Sequence, residues 1–206
     1  MTAPSFKLCY ITDRLSLGIG PLTATIESAV RAGIDIIQIR EKDLDTRPLL
    51  ELVQAAVAVA RGSATRVMVN DRLDVALAAG ADGVHLGAQS MPAGHVRPVV
   101  APGFWTGISC HSAEDVWAAE QAAADYVLLG PIFETPSKLR YGLPLGLGEL
   151  ERALRGVKRV PVLALGGITV DRAAECLAAG AAGVAGISIF QQCDSLGERV
   201  KALRAG

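Results

Sequence analysis

The sequence predicts a single-domain (β/α)8 barrel over residues 1–206. Three observations carry this: eight short runs rich in β-branched and apolar residues, amphipathic stretches between them, and a helix-end motif that returns at every second strand. A length of 206 residues suits one closed α/β architecture at the small end of its range. Half the residues are hydrophobic and only 4% are aromatic, so the core is built mostly from Ala, Leu, Val, Ile and Gly.

In chain order the runs are KLCYITD (7–13), IDIIQIRE (34–41), RVMVND (66–71), GVHLG (83–87), WTGISCH (105–111), YVLLGPIF (126–133), VPVLALGG (160–167) and GVAGISIF (183–190). Near-continuous apolar runs of this length mark strands buried on both faces, as parallel sheets require. Between them LTATIESAVRAG, DTRPLLELVQAAVAVARG, RLDVALAAG, SAEDVWAAEQAAA and TVDRAAECLAAG repeat apolar residues at i, i+3 and i+4, the pattern of helices with one buried face. Asp45 or Thr46, Ser112 and Thr169 are suited to cap helix starts, and Gly33, Gly80 and Gly180 to end helices in a left-handed conformation. RAGIDIIQIR, AAGADGVHLG, QAAADYVLLG and AAGAAGVAGIS share the order helix end, small residue, strand, with Ala123 in the third copy where the others have Gly. An open doubly wound sheet is disfavoured, because the first turn, ITDRLSLGIGP, lacks a GxGxxG motif.

A formal net charge of -1 with interspersed signs offers no sustained basic surface, which argues against nucleic-acid partners. No apolar run reaches the length of a membrane span, and MTAPSFKLCYITD enters a strand without a signal peptide, so a cytoplasmic protein is expected. The apolar content is compatible with a homo-oligomer. Cys9, Cys110, Cys176 and Cys193 form no CxxC pair, and His85, His95 and His111 have no metal-ligand spacing; the cysteines read as core residues.

In a (β/α)8 barrel, chemistry sits at the C-terminal ends of the strands. That rule selects Asp13; Gln38, Arg40 and Lys42; Asn70 and Asp71; Ser109 and His111; Thr135, Ser137 and Lys138; Gly166 and Gly167; and Ser188. Period-two alternation puts Gln38, Arg40 and Lys42 on one face, where two cations and an amide could grip a phosphate or diphosphate, unless they merely pair with neighbouring acids. Asn70 and Asp71 could hold magnesium that also carries phosphate oxygens, or Asp71 could cap the next helix. The loop GPIFETPSKLRYGLPLG reads as a lid or an ordinary surface excursion. Gly166, Gly167 and Ser188 bring backbone N–H groups to a recurrent phosphate site of the fold, although a tight turn alone would also explain the two glycines. His111 suits a general acid or base, or a structural hydrogen bond, whereas His85 lies inside an apolar run and reads as structural.

Taken in order, YITD, QIREK, VNDRLDVALAAGADGVHLG, GISCH, ADYVLLGPIFETPSK, LALGGIT and AGISIF resemble the thiamin phosphate synthase and thiazole tautomerase superfamily, from about Leu8 to Phe190. The resemblance implies a barrel that couples hydroxymethylpyrimidine diphosphate with thiazole phosphate through a pyrimidine carbocation, giving thiamin phosphate and diphosphate. It implies diphosphate-binding roles for Gln38, Arg40, Lys42, Asn70 and Lys138, and places Ser109 near the pyrimidine. Asp71 matches a magnesium ligand, and Thr135, Ser137, Gly167, Ile187 and Ser188 match thiazole phosphate positions. Where the synthase pattern resembles HLGQED, this chain has HLGAQS, so Ser90 replaces a second acidic ligand and a weakened Mg2+ site is expected. The alternatives are a tautomerase-like isomerase acting on a thiazole phosphate carboxylate tautomer, with His111 as proton shuttle, and a non-catalytic binder of thiazole or thiamin phosphate.

Overall fold

The computed structural model describes residues 7–18, 20–135 and 143–205. The eight runs form β1 (Lys7–Ile11), β2 (Ile36–Ile39), β3 (Arg66–Asn70), β4 (Gly83–Leu86), β5 (Trp105–Cys110), β6 (Tyr126–Leu129), β7 (Val162–Leu165) and β8 (Gly183–Gly186). All neighbours pair in parallel, and β8 closes on β1 to complete the barrel. The helices among the described residues are α1 (Leu22–Ala32), α2 (Thr46–Ala60), α3 (Leu73–Ala79), α4 (Ala93–Val96), α5 (Ala113–Gln121), α6 (Gly146–Arg155), α7 (Val170–Ala178), α8 (Ser188–Gln191) and α9 (Leu196–Ala205). No helix among the described residues is long and apolar enough to cross a membrane.

Alternation along each strand divides the core in two. Leu8, Tyr10, Ile37, Ile39, Val67, Val69, Val127, Leu129, Val162 and Val184 face outward and pack under the helices. Cys9, Ile11, Ile36, Met68, Tyr126, Leu128, Leu163 and Ala185 face inward and fill the barrel. This inner plug forms the floor on which the polar ends of the strands stand.

Local chemistry sets most boundaries. The hydroxyls of Ser112 and Thr169 accept from the N–H groups of Asp115 at 3.1 Å and Arg172 at 3.2 Å, capping α5 and α7 as expected. Asp45 occupies the cap position of α2, but its side chain makes no capping bond. Gly33, Gly80 and Gly180 all have positive φ, and Ala123, their counterpart in the recurring motif, adopts φ 55° despite its Cβ. The motif therefore specifies a turn shape, which alanine adopts at a cost of about 1 kcal/mol.

Candidate active site at the barrel mouth

Above the apolar plug the inward-facing residues become polar. Gln38 and Asn70 stand two residues beyond Ile36 and Met68 on adjacent strands, and the Gln38 amide donates to Asn70 Oδ1 at 3.4 Å. Asn70 in turn donates to Asp71 Oδ2 at 2.7 Å. Arg40 follows directly on β2, its charge acts on His85, and it makes no ion pair among the described residues. The acid between the two cations, Glu41, is buried on the opposite side, accepting from the Thr12 hydroxyl at 2.6 Å and from the Arg14 N–H at 3.0 Å. Burial pushes its carboxyl above the usual value, against hydrogen bonds from Thr12 and Arg14. Thr12 Oγ1 also accepts from the Arg40 N–H at 3.0 Å, so the β1 loop is clamped to the end of β2 and fixes the backbone that carries Arg40. The reading of Arg40 and Lys42 as surface ion pairs with neighbouring acids is set aside, because Arg14, not they, pairs with Glu41 and Asp43.

Asp71 is not a helix cap. It has φ 61°, a left-handed conformation more accessible to Asp than to most side chains, and its carboxylate turns toward the β4 loop. There Oδ1 accepts from the Gly87 N–H at 3.3 Å and from the Ser90 hydroxyl, while Ser90 Oγ also accepts from Gly87 N–H at 2.6 Å. Burial alone would raise the Asp71 carboxyl, but hydrogen bonds from Ser90, Gly87 and Asn70 and the Lys42 charge outweigh it and hold the group below the usual carboxylate range. A cleft of about 240 Å³ beside it is lined by Glu41, Lys42, Asn70, Asp71 and Arg72. Among the described residues no three acidic, histidine or cysteine side chains gather as a metal cluster. An ionised carboxylate beside a hydroxyl is nevertheless a hard-oxygen donor set, suited to a cation that draws its remaining ligands from phosphate and water.

On the next strands the inward side chains are His85, Ser109 and Tyr126. His85 is 1% exposed, with Nδ1 3.0 Å from the Tyr126 hydroxyl and Nε2 2.9 Å from Ser109 Oγ. Burial, with a smaller contribution from the Arg40 charge, pulls its pKa down to about 3 against the pull of Asp71, so the ring is neutral. Gly107 is required between them: a Cβ there would stand 2.3 Å from the Tyr126 ring and 2.6 Å from His85 Nδ1. The sequence singled out Ser109 but not the His85–Tyr126 pair that holds it.

The far side of the mouth is made by β6, β7 and β8. His111 is exposed, and its Nδ1 lies 2.6 Å from the Gly130 carbonyl. Because a carbonyl only accepts, Nδ1 carries a hydrogen in this contact. Gly166 and Gly167 have φ 98° and 65°, and a Cβ at Gly167 would lie 2.6 Å from the Glu134 carbonyl, so a tight turn with a close backbone approach demands both. Arg172 fixes this turn by donating to the Gly167 carbonyl at 2.8 Å. Thr135 Oγ1 donates to the Phe133 carbonyl at 3.1 Å beside it. Ile187 is partly buried against the inner plug, and Ser188 is exposed at the start of the short α8. Ser137 and Lys138 lie outside the described residues. Gln38, Asn70, Asp71 and Lys42 are thus brought together on one side, and Thr135, Gly167, Ile187 and Ser188 on the other, with Ser109 and His111 on β5 and the loop after it.

Comparison with known proteins agrees with this architecture. The thiamine monophosphate synthase family model matches residues 8–190. A thiamine-phosphate synthase of Roseiflexus sp. is 43% identical over 178 residues, covering 86% of this chain and 75% of the relative. One from Methanoculleus marisnigri is 40% identical over 208 residues, covering 97% and 98%. The solved structure of a thiamine phosphate pyrophosphorylase from Pyrococcus furiosus superposes with a TM-score of 0.86 at 34% identity, covering 98% of this chain and 95% of that one. On a family match from β1 into α8, relatives at 40% and 43% identity and the same closed barrel, the chain belongs to the thiamine monophosphate synthase family.

Proposed function

We propose that the chain acts as a thiamine-phosphate synthase, a transferase joining hydroxymethylpyrimidine diphosphate to a thiazole phosphate with release of diphosphate. The observation that carries this reading is the polar layer on the apolar plug: Gln38 and Asn70 bonded to each other, Arg40 beside them without a carboxylate partner, and Asp71 held ionised at the edge. A planar heterocycle can rest on the plug while its diphosphate reaches the cations. Breaking its C–O bond leaves charge on the departing diphosphate, which Arg40, Lys42 and the Asn70 amide stabilise, with Lys138 as a further cation. The thiazole nitrogen then attacks the exposed carbon, and the mouth holds the two substrates in attack geometry. The N–H groups of Gly167, Ser188 and Thr135 and the Ser188 hydroxyl supply donors for the thiazole phosphate on the β7–β8 side, next to Ile187, and Ser137 is assigned to that phosphate by the family resemblance alone.

Asp71 and Ser90 would hold magnesium, with phosphate oxygens and water completing its shell. When bound, the ion supplies charge neutralisation for the departing diphosphate. The tautomerase and binder alternatives are not favoured, since the relatives above are named as synthases or pyrophosphorylases. The test is a coupling assay with both substrates and magnesium. Thiamin phosphate should form, Arg40→Ala should lower kcat/KM by roughly a hundredfold or more, and Ser90→Asp should lower the magnesium concentration needed for half-maximal rate. Absence of product at every magnesium concentration would overturn the reading.

A further inference from the structure

We propose that Tyr126 and His85 are positioning residues that leave the Ser109 hydroxyl hydrogen free to donate into the mouth, so that it meets an acceptor atom of the substrate, such as a heterocycle ring nitrogen or a phosphate oxygen. The identity of that substrate rests on the function proposed above; the hydrogen-bond order does not.

The order follows from which hydrogens have somewhere to go. Tyr126 is 1% exposed, and the inward-facing side chains around it are Cys9, Met68, Leu128 and Leu163. Among the described residues its hydroxyl has one hydrogen-bond partner, His85 Nδ1 at 3.0 Å. If Nδ1 carried a hydrogen, the phenol would only accept, and its own hydrogen would be left unpaired in an apolar interior, the costly state for a buried donor. The phenol therefore donates, and Nδ1 accepts. An enclosed ring flanked by two hydroxyls, with no carboxylate bonded to it, is neutral imidazole, so its one hydrogen sits on Nε2. That hydrogen points at Ser109 Oγ, 2.9 Å away. Ser109 thus accepts from the barrel interior, and among the described residues its own hydroxyl hydrogen has no other acceptor. Half-buried at the end of β5, it is free to donate toward the mouth.

The arrangement is built into the barrel. His85 pairs in register with Gly107, and Gly107 with Tyr126, so three adjacent strands place the two rings side by side, with centroids 5.5 Å apart. Gly107 has no side chain to intervene. A tyrosine at the floor thereby determines the polarity of a serine at the rim, across a histidine that never meets the substrate.

The test combines spectroscopy on the resting protein with a double-mutant cycle. Multiple-bond 1H–15N correlation of the full chain near pH 7.5 should show His85 as the Nε2–H tautomer; an Nδ1–H tautomer or an imidazolium would overturn the proposal. Tyr126→Phe keeps the ring and removes only the hydroxyl, and should lower kcat/KM on the order of tenfold. In a Ser109→Ala background the same change should have almost no effect, because there is no serine left to orient. An equal loss in both backgrounds would show that Tyr126 acts through packing alone, and would overturn the relay. If the unaltered protein forms no thiamin phosphate, the functional reading fails, while the tautomer, read without substrate, still decides the hydrogen-bond order.

Discussion

Acidifying the protein from pH 7 to pH 5 should cost it stability through His85 in particular. Burial lowers the ring's pKa from 6.5 to about 3 in the folded state, while the unfolded chain exposes it to water at its ordinary value. Between those two values the unfolded state binds the proton and the folded state does not, so stability falls as pH falls and stops falling only below the folded value. At pH 5 the unfolded ring has passed its own pKa by roughly one and a half decades, which corresponds to about 2 kcal/mol, against only a small fraction of that at pH 7. A loss of that size is a large part of the roughly 5–15 kcal/mol that holds a domain together. Urea unfolding followed by circular dichroism, on the natural chain and on His85→Gln at both pH values, isolates the ring, because the carboxylates contribute alike to both proteins. His85→Gln should be less stable at pH 7 but lose about 2 kcal/mol less than the natural chain on acidification. Equal losses in the two proteins would refute a neutral, enclosed His85.

Three further outcomes follow from the geometry. Gly107→Ala should destabilise the chain by about 1–3 kcal/mol, measured by denaturant unfolding, since its Cβ would collide with both Tyr126 and His85. Asp71→Asn should lower the coupling rate measured with magnesium present by roughly a hundredfold, and should lower the melting temperature as well, since an amide cannot accept from Ser90, Gly87 and Asn70 on both of its arms. Gly167→Ala forces a side chain into a φ of 65° and against the Glu134 carbonyl, so the KM for the thiazole phosphate should rise several-fold in steady-state assays while the KM for the pyrimidine diphosphate holds.

The barrel was legible because each strand announces itself locally. An apolar run, a capped helix and a left-handed turn are short-range signals, and Ser112, Thr169 and Gly80 behave as their types require. Gln38 and Arg40 were legible for a related reason, since alternation along one strand tells which side chains share a face. His85 was read correctly as structural but not as part of the site, because its partners lie on β5 and β6 and only sheet register brings Ser109 and Tyr126 to its two nitrogens. Glu41 was likewise hidden: a charged residue between two cations looks solvent-facing until Thr12 and Arg14 are seen to enclose it. The choice between cap and site for Asp71 depended on a single φ angle and on where the β4 loop runs, neither of which is encoded within a few residues of it.

Closure of the sheet through β8 and β1 also shapes how the chain meets itself during synthesis. Lys7 to Tyr10 take their partners from Gly183 to Gly186, the last strand to be made. At about 5–20 residues per second, β1 emerges on the order of ten seconds or more before that partner exists. For that interval the strand has one bare edge, a hazard the finished barrel no longer has. Its sequence, KLCYI, is apolar and β-prone apart from the leading lysine, so nascent chains should be most open to wrong pairing, and to chaperone capture, until residues 183–186 have left the ribosome.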